Sequence, residues 1–114
     1  MFPIITNFQT LTGLAPVYLR SEVGNVADDT IVLTYNKTLN YDSVPATTDF
    51  AVAGTSETIT AVDIYGSEIF LTMSNDLLST DTLTVSYTKG SNPIQDSSIN
   101  ESVNLVTESV INNI

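Results

Sequence analysis

The 114-residue chain contains no cysteine, no histidine and no tryptophan. Without cysteine there is no disulfide staple, and cysteine usage leaves the redox compartment open. Without histidine or cysteine, the usual general base, imidazole metal ligand and thiolate nucleophile are all missing. A serine nucleophile would need Lys37 or Lys89 as its base, and no motif links them. Paired carboxylates hydrolyse glycosides in other proteins, but no Asp or Glu here stands in a signature context. The lack of tryptophan also removes the strongest sugar platform. These absences argue against a catalyst.

Cations are nearly as scarce. Three basic residues (Arg20, Lys37, Lys89) stand against thirteen acidic ones, for a formal net charge of −10. Phosphate backbones and anionic lipids need cationic surface, so neither nucleic acid nor membrane is an expected partner. The acidic residues are scattered, as in a solvated acidic coat rather than an acidic tail. No hydrophobic run approaches the ~20 residues that span a bilayer. The first seven residues carry no basic segment and no small-residue cleavage site, so they do not read as a signal peptide. The sequence then reads either as a protein that works without that export route or as a fragment with an added start Met.

What is present is strand pattern. In Thr30-Ile31-Val32-Leu33-Thr34-Tyr35-Asn36-Lys37-Thr38-Leu39, Ile31, Leu33 and Tyr35 alternate with Val32 and Thr34, the period that sends alternate side chains to one face. Residues 17–23, 49–53, 58–64, 68–73, 82–87 and 103–111 give further strands. Tyr65-Gly66-Ser67 marks a hairpin turn. Inward positions are Ile59 and Ala61, with Val62 and Ile64 as additional candidates, then Ile69, Leu71 and Met73, then Leu83, Val85 and Tyr87. Leu77 and Leu78 are both expected under a polar connection, and residues 40–48 form a loop or one helical turn. About seven short strands at this spacing predict an all-β, antiparallel β-sandwich. The division is an N-terminal arm over residues 1–14 and one sandwich domain over 15–114. The arm is rich in apolar residues, with Pro3 and Gly13 breaking regular structure. It reads either as an extra edge strand with a lead-in or as an extended arm that docks on a neighbouring subunit.

The run Ile31 to Leu39 resembles the strand that opens SwmB-type immunoglobulin-like domains. The likeness continues through Pro45, Asp49-Phe50-Ala51-Val52, Ile64 to Thr72, Asp81 to Tyr87, Pro93-Ile94-Gln95-Asp96 and Val110-Ile111-Asn112. It covers about Ala15 to Asn112. The resemblance implies an immunoglobulin-like sandwich, of a kind found as repeats in bacterial, especially cyanobacterial, surface proteins and as single modules in phage structural proteins. One departure falls at Asp96-Ser97-Ser98-Ile99-Asn100, where the family usually has Asp-x-x-Gly-Asn, which puts the local turn geometry in question.

Loop oxygen ligands at Asp96, Asn100 and Glu101 form the best calcium candidate. Loop Asp and Asn are also ordinary turn-formers, and neither EF-hand nor nonapeptide spacing is present, so no metal and no cofactor is assigned. Tyr35, Tyr87 and Phe50 fit inward positions. Tyr41, Tyr65 and Phe70 fall on a loop, a turn and an outer strand face, as a contact surface would. The expected function is therefore a non-enzymatic structural or interaction protein. The leading expectation is a phage virion decoration or cement subunit that docks on a capsid or tail protein, or on copies of itself. It would do so through Phe2, Ile4, Ile5, Phe8 and Leu11 of the arm, together with Tyr41, Tyr65 and Phe70. The alternative is a repeat of a bacterial cell-surface adhesin acting as spacer or binding module.

Overall fold

The structure is a computed structural model and describes residues 14–114. Seven strands follow in order: β1 (Tyr18–Val23), β2 (Thr30–Tyr35), β3 (Phe50–Ala53), β4 (Ile59–Tyr65), β5 (Glu68–Met73), β6 (Thr84–Tyr87) and β7 (Leu105–Asn112). The helical content among the described residues is one 3-10 turn, Thr47–Asp49. Hydrogen bonding links the strands in the order β3-β6-β7-β1-β2-β5-β4. β1 is the bridge between two blades. It pairs with β2 from Tyr18 to Val23, but with β7 only through Ser21, Glu22 and Val23. Four strands (β1, β2, β5, β4) and three (β3, β6, β7) then face each other as the two layers of an immunoglobulin-like sandwich. The other pairings are antiparallel, but β1 and β7 run parallel.

The core is built by alternation. Ile31, Leu33 and Tyr35 from β2 meet Ile69, Leu71 and Met73 from β5, and from the other layer come Phe50, Leu83, Val85, Tyr87, Leu105 and Val110. Leu39, Leu77 and Ile94 plug the ends from loops. Burying each such side chain contributes about 1.5–3 kcal/mol. Every strand lies at Tyr18 or later, as does every residue of the hydrophobic cluster, while the fully buried Pro16 packs just ahead of β1.

Several expectations are corrected by the three-dimensional arrangement. The central strand stops at Tyr35 instead of running on to Leu39, because its partner turns away at the β4–β5 hairpin. Tyr35 N–H donates to Ser67 O at 2.9 Å, and Leu39 N–H donates to Gly66 O at 2.9 Å. In β4 a bulge between Ile59 and Ala61 shifts the alternation. Ile59, Val62 and Ile64 therefore pack on the core, and Ala61 does not. Only one of the two leucines in the β5–β6 connection is covered, Leu77 at 2% exposure against 61% for Leu78. The residues before Leu14, including most of the expected arm, lie outside the described residues.

Because β1 and β7 are parallel, the chain enters the sandwich at one pole and leaves at the other. The exit is fixed by Asn113 N–H donating to Val23 O at 2.8 Å and by Asn112 Nδ2 donating to the carbonyls of Leu78 and Asp81 at 2.9 and 3.0 Å.

Candidate functional site

At the entry pole the lead-in from Leu14 meets the β2–β3 loop, the β4–β5 turn and the long β6–β7 connection. Their organiser is an ion pair. Lys37 Nζ donates to the Asp96 carboxylate at 2.8 Å and to the Leu14 carbonyl at 2.9 Å, tying three segments to one ammonium. Asp96 is 4% exposed and also accepts from the backbone N–H groups of Ser98 and Asn100, both at 2.9 Å, and from Asn100 Nδ2. Lys37 first, and then these donors, hold the Asp96 carboxyl well below the usual carboxylate range. The loops are joined again by Asn40 N–H to Gln95 O (2.8 Å) and by Ser43 Oγ to Pro93 O (2.7 Å). The Ile94 N–H donates to the buried Tyr87 hydroxyl at 2.9 Å.

This network occupies the residues that sequence ranks as calcium ligands. Asn100 Nδ2 is turned to donate to Asp96, and Glu101 reaches away to Lys89 Nζ at 2.7 Å. Among the described residues no group of three or more metal-ligating side chains converges. In the turn where the resemblance implies a glycine, Ile99 itself sits at φ 64°. That conformation is left-handed and unusual for a β-branched side chain.

Of the expected contact residues, the structure brings Tyr65 and Phe70 together. Their rings meet edge to face with centroids 4.9 Å apart, on the outer face of the four-stranded layer. Val32, which faces Phe70 across the β2–β5 pairing, is 7% exposed on that same outer face. β2 is thus apolar on both sides. Tyr41 is 74% exposed on the β2–β3 loop and makes no aromatic contact among the described residues. Phe2, Ile4, Ile5, Phe8 and Leu11 lie outside the described residues.

A groove that sequence reasoning missed lies beside the entry pole. It has a volume of about 360 Å³ and runs between Leu14, Val17 and Tyr18 on one side and Val103 and Leu105 on the other. Val103, expected at the start of the last strand, instead sits exposed before it.

No curated protein and no solved structure matches the chain. A family model described as "Putative flagellar system-associated repeat", the SWM repeat, matches residues 12–92. The match runs from just before the entry pole through β6 and stops short of β7, so it is narrower than the expected Ala15–Asn112. It carries no link to virion proteins. Covering well over half of the sequence, it places the sandwich in a repeat family: the chain belongs to the SWM repeat family.

Proposed function

We propose that this domain is a non-catalytic structural module, a repeat unit of a bacterial surface or appendage protein that serves as spacer and as protein-binding surface. The observation that carries the reading is the parallel pairing of the first and last strands, Ser21–Val23 against Val110–Asn112. A chain that leaves in the direction in which it entered stacks in series, each copy adding its length to the next. The family's description as a flagellar system-associated repeat supports the same setting and favours it over a virion. The decoration reading, with its capsid or tail partner, has no comparable support in the fold or the match.

A binding role draws on the outer-face pair Tyr65 and Phe70 and on Tyr41, exposed aromatics that suit a protein partner. The net charge of −10 favours neither nucleic acid nor an anionic membrane. The non-catalytic reading rests on side-chain chemistry. The sequence has no His or Cys, and Lys37 and Lys89 are each engaged by a carboxylate.

The test is small-angle scattering on two copies fused head to tail, Ile114 of one leading into residue 1 of the next. The proposal expects a maximum dimension close to twice that of the single domain. A fused pair that folds back into a side-by-side particle would refute the spacer reading.

A further inference from the structure

β6 and β7 pair with a slip. Tyr87 stands opposite Leu105 and Val85 opposite Glu108, so Val106 and Thr107 together face Ser86. Thr107 takes up the extra residue with a left-handed backbone at φ 52°, and its N–H donates to Ser86 Oγ at 3.0 Å. That conformation is costly for a β-branched side chain, and strain of this kind clusters where a chain holds a ligand. A bulge re-aims the side chains that follow it. Simple alternation from the buried Leu105 would turn Glu108 away from the core. With the bulge, Glu108 falls in phase with the buried Val110 instead.

Glu108 is thereby brought into the groove of about 360 Å³, whose other walls include Leu14, Val17, Tyr18, Val103 and Leu105. It is the only charged side chain in that lining. A half-buried carboxylate among apolar walls is costly without a counter-charge, and the three basic side chains of the sequence are engaged elsewhere. Arg20 pairs with Glu22 at 3.5 Å, Lys37 with Asp96 at 2.8 Å and Lys89 with Glu101 at 2.7 Å. The Tyr18 ring is fixed in the wall by its hydroxyl contact with Ser21 Oγ at 2.8 Å and by the edge-to-face Tyr35 ring.

We propose that the groove receives an arginine side chain of a partner protein, its guanidinium paired with Glu108 and its stem laid on Val17, Val103 and Leu105. A guanidinium is weakly hydrated, bonds a carboxylate through two N–H groups and lies well against an aromatic ring such as Tyr18. The net charge of −10 draws a basic partner and repels a second copy, whose one arginine is already paired with Glu22. The left-handed Thr107 breaks the regular edge of β7, so the groove suits an inserted side chain better than an added strand. The inference rests on the protein-binding half of the reading above and names the chemistry of the partner.

The test is an NMR titration of the ¹⁵N-labelled full chain with acetyl-Val-Arg-Val-amide and with its citrulline counterpart, which is neutral and of nearly the same shape. The arginine peptide is expected to shift the amides of Tyr18, Val103, Leu105 and Glu108, and to bind about fivefold more tightly than the citrulline peptide. Glu108→Gln should erase that preference, whereas Asp63→Asn, on the exposed side of β4, should keep it. Added sodium chloride gives a readout that needs no variant, weakening the arginine peptide and leaving the citrulline peptide unchanged. Equal binding of the two peptides, a preference that survives Glu108→Gln, or no saturable shift at the groove would overturn the inference. Shifts confined to Tyr65 and Phe70 would overturn it too, while leaving a protein-binding outer face in place. None of these results alters the shape of the fused pair, so the spacer reading fails or stands separately.

Discussion

Lys37 Nζ sits 2.8 Å from the Asp96 carboxylate, fifty-nine residues away in sequence, and the carboxylate is almost wholly covered. Lys37 itself is 30% exposed, so the pair is half-screened rather than fully buried. Removing the ammonium leaves Asp96 with its amide donors but without its counter-charge, and frees the Leu14 carbonyl. Lys37→Met is expected to destabilise by about 2 kcal/mol, measured as a lower urea midpoint at unchanged slope. A change within experimental error would show that water replaces the ammonium at no cost. The exposed pair Lys89–Glu101 serves as comparison, and Lys89→Met should move the urea midpoint far less than Lys37→Met does, because solvent screens an exposed pair.

The same carboxylate sets the acid limb of stability. Its folded-state pKa lies below the ordinary 3.8, so the unfolded chain binds the proton first. Its contribution is complete above that value and is lost as pH falls below it. Asp96→Asn should therefore flatten the pH dependence of unfolding in strong acid and leave the slope between pH 5 and 8 unchanged. At the alkaline end the sign reverses. Burial raises the Tyr35 hydroxyl above its ordinary 10.0, so the unfolded chain loses the proton first and stability falls as pH rises past that value. Tyr35→Phe should remove that part of the alkaline loss. Urea titrations at a series of pH values read both effects.

Ile99 holds φ 64° while its side chain is 69% exposed, so the strained backbone is not offset by burial. The position is the one where the resemblance implies glycine. Ile99→Gly is expected to stabilise by about 1 kcal/mol, the left-handed penalty less the extra entropy of glycine in the unfolded chain. Thermal unfolding of the two proteins decides it. A lower melting temperature for the glycine variant would mean that Ile99 has a packing role.

Gly54 shows the opposite case. It ends β3 at φ 96°, and a Cβ built there would overlap the Thr82 carbonyl oxygen just ahead of β6. Gly54→Ala combines a left-handed conformation with a backbone clash and should cost about 3 kcal/mol. Gly66→Ala, at φ 59° with open space around it, should cost about 1 kcal/mol. Urea denaturation of the two variants side by side checks the difference, and equal losses would contradict the close approach of the two segments.

The covered and uncovered leucines of the β5–β6 connection give a sharper contrast. Leu77→Ala should cost about 3 kcal/mol and Leu78→Ala less than about 0.5 kcal/mol. The two residues are 2% and 61% exposed. Similar losses at both positions would mean that this connection packs differently in solution.

The sequence alone determined the strand content and the inward set of Ile31, Leu33, Tyr35, Ile69, Leu71, Met73, Leu83, Val85 and Tyr87. Side-chain alternation along a strand is a local property, fixed by backbone pleating. It could not show that Ala61 falls out of phase, because the bulge in β4 exists only against its partner Met73–Thr72. Nor could it choose between Leu77 and Leu78, which are chemically identical until a neighbouring segment covers one of them. Of the expected contact surface, Tyr65 and Phe70 were legible as exposed aromatics, but their meeting depends on the register of the β4–β5 hairpin. Only the tertiary structure decided the Lys37–Asp96 tie, the groove beside β7 and the parallel run of β1 with β7. Each joins residues far apart in the chain, and long-range pairing is set by which surfaces remain to be buried once the local elements have formed.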